Sequence, residues 1–309
     1  MNNLLPPAEE RDWSLVAWHG VSFWVPNDWT FIPVNDPNET RIQVISPGQF
    51  TVQLRTQKSK AKADLHPVID KYLKVIENQA KKKRQTFTGR VSDKPDGELE
   101  YNWRSDVKTH GVVRQCPTCM KIVIAEVTGG KNDAVLAMSK KILATLKDHQ
   151  DDGWIPWAAF GLVTASPENY RLEKFQFTSG YLTMRFAKNG QSIVTDRWGL
   201  AYLALEECTL EQWFIRSGKW DSSEGTLEPA TIHGHEGFYW TAQLKPLVKL
   251  REAITMLFKW KWPAFKVSGA GWHCPDTNRL FMVTWQHRGK IDFDELIERT
   301  VCHNSGQSA

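Results

Sequence analysis

The chain has 309 residues, 41% hydrophobic and 24% charged, which supports packed cores and, at ordinary domain sizes, two domains. A net charge of +4 is too small to imply nucleic acid by itself, and no run of 18 apolar residues offers a membrane-spanning helix. Met1–Asp12 lacks the basic start and long apolar run of a secretory signal, and the five cysteines are an odd number, so a cytoplasmic location with reduced thiols is expected.

Residues 20–25 and 40–57 alternate as strands, with Ile42, Val44, Phe50, Val52 and Leu54 at the apolar positions. Asp64 is placed to cap a helix running to about Arg84, with Leu65, Ile69, Tyr72, Leu73 and Ile76 as its apolar stripe. Strands follow near 98–104, 111–115 and 120–128, and Val135, Met138, Ile142 and Leu146 mark a closing helix. The charged segment Lys147–Pro156, with Gly153, reads as a linker between an N-terminal domain (1–150) and a C-terminal one (151–309). In the second domain strands are expected near 161–165, 181–187, 192–205, 238–244, 264–272 and 279–286, and helices near 208–217 and 292–302. This element order predicts an α+β fold in each half, an antiparallel sheet packed with helices.

Four landmarks recur in the same order. Gly20, Pro26 and Trp29 return as Gly161, Pro167 and Tyr170. Gly97–Trp103 returns as Gly234–Trp240, and a Cys-Pro turn leads into a strand at both Cys116 and Cys274. Helical patterns over Asp133–His149 and Asp292–His303 close both halves. Two diverged copies of one unit are expected. The extended run into Val25-Pro-Asn-Asp-Trp29, followed by a meander, a long helix, strands and a closing helix, resembles the Mog1/PsbP-like fold. The resemblance implies two tandem domains of that fold that bind partners or assist assembly, and it transfers no catalytic residue.

Within Cys116-Pro-Thr-Cys119 the two thiols have the spacing of a zinc knuckle or a redox pair. A closed zinc site needs two more ligands, with His110 or a cysteine of the other domain as candidates, and no other cofactor is expected. His273-Cys274 and Cys302-His303 supply further ligand types, whereas His233, His235 and Glu236 read as a loop. Between Arg55 and Arg90 eleven Lys or Arg face three acids. Lys58, Lys60, Lys62, Lys81, Lys82, Lys83 and Arg84 would meet phosphates if nucleic acid binds. From Trp240 to Cys274 there are 34 steps against 13 from Trp103 to Cys116, so the second copy carries an insertion at about 241–263. Leu247, Leu250, Ile254, Leu257 and Phe258, followed by Trp260 and Trp262, give it an amphipathic face suited to a protein partner. Serine-hydrolase, zinc-protease and phosphate-loop signatures are absent, so a non-enzymatic binding or assembly protein is expected.

Overall fold

The structure, a computed structural model, describes residues 12–32, 36, 40–150, 152–217, 227–243, 266–289 and 292–303. The chain divides into two compact units: an N-terminal one of residues 2–152 with 156–161, and a C-terminal one of 153–155 with 162–309.

In the N-terminal unit, β1 (Trp13–Trp18) and β2 (Val21–Pro26) pair antiparallel across a tight turn. His19 and Gly20 make that turn in the left-handed region, at φ 52° and 82°, which matches the twist of a two-residue hairpin. After them come β3 (Thr30–Ile32), β4 (Ile42–Ile45), β5 (Thr51–Gln57), α1 (His66–Lys82), β6 (Thr88–Asp93), β7 (Leu99–Arg104), β8 (Val107–Gln115), β9 (Ile122–Gly130) and α2 (Val135–Ala144). Strands β3 to β9 form one antiparallel sheet in the order β3-β4-β5-β9-β8-β7-β6. Leu65, Ile69 and Tyr72, on or beside α1, bury against Leu99, Tyr101, Trp103, Val113 and Ile122 of that sheet.

Next in the chain are β10 (Trp154–Ala159), β11 (Leu162–Pro167), β12 (Arg171–Thr178), β13 (Tyr181–Lys188), β14 (Gln191–Gly199), α3 (Ala201–Ala204), α4 (Leu210–Arg216), β15 (Leu227–Ile232), β16 (His235–Gln243), β17 (Lys266–Cys274), β18 (Arg279–His287) and α5 (Phe293–Glu298). Here the sheet runs β12-β13-β14-β18-β17-β16-β15. Counted from its own first strand, each seven-stranded sheet has the same order. Ala201, Leu210 and Phe214 cover Phe238, Trp240, Leu280 and Met282 where α1 covers its own sheet. Gly271 makes that packing possible, because a Cβ there would collide with the Phe214 ring.

The expected helix-packed α+β class is wrong. Among the described residues 51% lie in strands and 19% in helices, so the fold is dominated by antiparallel sheet. Sheet-edge strands β6 and β12 escape a periodicity reading because their side chains are mostly exposed and polar. Trp154–Ala159, assigned in part to a linker, is a buried strand. The helices are also shorter than their apolar patterns: α2 has 10 residues and α5 has 6. Asp64 is not the helix cap. Leu65 occupies that position without a side-chain bond, and Asp64 Oδ1 instead accepts the His66 N–H at 3.0 Å. Trp240 lies opposite Gly269 as Tyr101 lies opposite Gly111, so its counterpart across the sheet is Tyr101, two residues from the Trp103 that the sequence alignment pairs with it. No helix among the described residues is long and apolar enough to cross a membrane.

Candidate metal centre

Three separate segments of the C-terminal unit converge on one point. Cys274 ends β17, and the neighbouring strand β16 begins at His235. The register Gly237–Trp272, continued by two residues, brings His235 opposite Cys274. His235 owes its position to the turn before it, where His233 (φ 52°) and Gly234 (φ 80°) reverse the chain in two residues. Cys302 and His303 arrive from beyond α5. Val301 N–H donates to the Val163 carbonyl at 3.0 Å and fixes their approach.

His235, Cys274, Cys302 and His303 thereby place four ligand atoms within 4.8 Å of one another. His303 Nδ1 lies 3.5 Å from Cys274 Sγ, 3.2 Å from Cys302 Sγ and 3.2 Å from His235 Nε2. For zinc, bond lengths of about 2.0–2.1 Å to nitrogen and 2.3 Å to sulfur give tetrahedral edges of about 3.3 Å between nitrogens and about 3.5 Å between nitrogen and sulfur. The three separations from His303 Nδ1 fall within about 0.3 Å of those edges. Both cysteines are buried and both imidazoles are partly exposed. The Asp276 carboxylate lies 3.8 Å from His235 Nε2 and 3.7 Å from His303 Nδ1, adding negative charge beside the cluster.

One thiol of the pair is already biased toward losing its proton. A hydrogen bond from Cys302 draws the Cys274 thiol down to about 4, against the opposing effect of burial and with help from Thr277 and His303. The same bond, reinforced by burial, pushes Cys302 well above the ordinary thiol value. One sulfur of the pair is therefore poised as thiolate, the form that binds metal.

The other sequence candidates fall elsewhere. In the N-terminal unit Cys116 is buried at the end of β8 and Cys119 is exposed. Their sulfurs gather with His149, which the sequence reading had not considered. His110 is not a partner: its Nε2 meets Glu100 Oε1 at 2.5 Å and its Nδ1 meets Ser139 Oγ at 2.9 Å. His273 does not join the C-terminal cluster, whereas His235, assigned to a loop, does. The signal for His235 was its place at the start of a strand paired with the Cys-Pro strand. Lys58, Lys60 and Lys62 are exposed before α1, and Lys81, Lys82, Lys83 and Arg84 are exposed at its far end. The 17 residues of α1 separate these groups by about 25 Å, and Lys81 is paired with Glu77 at 2.6 Å. Leu247, Leu250, Ile254, Leu257, Phe258, Trp260 and Trp262 lie outside the described residues.

A second group that sequence reasoning missed is Glu126 on β9. It is buried and accepts from Tyr72 Oη at 2.7 Å, Tyr101 Oη at 2.9 Å and Trp103 Nε1 at 3.4 Å. Burial raises its carboxyl above the usual range while these three donors pull it back down. Neutral apolar patterning conceals such a residue, because a strand with one buried acid still alternates.

No protein-family model matches the chain, and no curated protein matches it.

Proposed function

We propose that this chain is a zinc-binding protein whose C-terminal unit holds one Zn²⁺ through His235, Cys274, Cys302 and His303. The convergence of those four side chains, with His303 Nδ1 close to a tetrahedral edge from each of the other three ligand atoms, carries the reading. Four protein ligands close the coordination sphere, which is the arrangement of a structural site, so the metal contributes folding energy rather than a reactive water. It would tie the chain beyond α5, whose backbone Val301 pairs with Val163 of β11, to the ends of β16 and β17 as well. A structural metal suits the non-enzymatic binding role expected from the sequence. The test is zinc content of the purified full chain. Cys302→Ser combined with His303→Ala should remove about one equivalent, and wild-type content that survives the double substitution overturns the assignment.

A further inference from the structure

Each unit presents sulfur and imidazole at the same corner of its sheet. Cys116 and Cys274 open four-residue turns, the first closed by Cys116 N–H to the Lys121 carbonyl at 2.9 Å and the second by the pairing of Cys274 with Arg279. The fourth turn residue is left-handed in both, Met120 at φ 57° and Asn278 at φ 52°. The returning chain is anchored alike: Lys147 bridges to Ser22, and Val301 bridges to Val163. Two residues beyond those bridges stand His149 and His303. Cys116 and His149 thus occupy the places of Cys274 and His303. The remaining positions differ: Cys119 stands where the other unit has Thr277, and Asp148, in the place of Cys302, is paired with Arg114 at 3.2 Å.

We propose that Cys116, Cys119 and His149 hold a second Zn²⁺ in an open site whose fourth position is taken by an exchangeable water or small anion. Their three ligand atoms lie within 4.8 Å of one another, and among the described residues no fourth His, Cys, Asp or Glu joins them. The Cys119 backbone N–H donates to Cys116 Sγ at 3.4 Å, a bond that strengthens as the sulfur becomes a thiolate. Cys119 is exposed, so the cluster is reached by solvent on its side. Two sulfurs and one imidazole suit zinc, and a three-ligand set differs from the closed site in admitting an outside ligand. This site goes beyond the C-terminal one and takes from it only the shared corner.

Metal content and Co²⁺ spectra of the full chain test the proposal, with azide as the probe anion. Wild type should bind about two equivalents, Cys119→Ser and His149→Ala about one each, and a Cys302→Ser, His303→Ala double variant about one. In the Co²⁺-loaded double variant the visible bands should shift on adding azide, and adding Cys119→Ser should abolish that response. Because Cys119 is exposed, its serine variant should keep its circular dichroism, so this arm stands even where His149→Ala fails to fold. Undiminished metal in Cys119→Ser, or bands in the double variant that ignore azide, overturns the open site. Loss of metal in the double variant without loss in Cys119→Ser removes only the open site. The reverse pattern removes only the closed one.

Discussion

Glu126 shows how one buried acid can set the pH response of a unit. Its carboxyl is raised first by burial, and the hydroxyls of Tyr72 and Tyr101 and the Trp103 indole oppose that effect. An acid whose folded value is raised favours the native state while it is protonated. That stabilisation is complete below the unfolded value of about 4.3 and is lost as pH rises through the folded value. The stability of wild type minus that of Glu126→Gln should therefore fall as pH rises from about 4 to 8. Urea midpoints of the two proteins across that range check it, and a difference that stays level or climbs contradicts the assignment. Tyr101 and Tyr72 are raised above the usual phenol range, again mainly by burial and then by the Glu126 charge. Their contribution is complete below about pH 10 and lost above it. Tyr72→Phe should blunt the alkaline unfolding of the N-terminal unit, which circular dichroism above pH 10 would reveal.

At the scale of elements, short helices depend on a few local contacts. In α4 the Thr209 side chain accepts from Gln212 N–H at 3.2 Å, and the Gln212 side chain accepts from Thr209 N–H at 3.2 Å, closing a capping box. Thr209→Ala should cost about 1 kcal/mol of stability, measured by denaturant unfolding. The same helix lays Phe214 over Gly271, so Gly271→Ala should cost about 1–3 kcal/mol by forcing the ring aside. The capping box is written locally as Thr209-Leu-Glu-Gln212, but the ring contact does not announce itself in sequence: a glycine in a strand has many causes, and Phe214 and Gly271 lie far apart in the chain. The central strands were legible because apolar and polar residues alternate, as Ile42 and Val44 or Val52 and Leu54 do. Edge strands β6 and β12 have, among the described residues, one side without a partner strand and largely exposed side chains, and their omission made the helices seem a larger share of the fold than they are. The metal cluster was half legible. Cys274, Cys302 and His303 were visible as ligand types, but the register that chooses His235 over His273 exists only once β16 and β17 are paired.

For the whole molecule, the consequence of a closed zinc site is that stability becomes partly a property of the solution. A metal bound only by the folded chain stabilises it by about 4 kcal/mol when free metal exceeds its dissociation constant a thousandfold, and chelation removes that term. The ligands come from the strand ends at His235 and Cys274 and from the segment after α5, so the loss should fall on the C-terminal unit. The N-terminal sheet and α1 have their own core in Leu65, Ile69, Tyr101 and Val113. Calorimetry with excess EDTA should therefore lower the melting component of the C-terminal unit further than that of the N-terminal unit, where any shift reports the open site. The Cys302→Ser, His303→Ala double variant should already show the lower C-terminal melt, and the chelator should move that component little. A melt that EDTA leaves unchanged in wild type would show that the four side chains hold one another by hydrogen bonds alone, because chelation can destabilise only what a metal was stabilising.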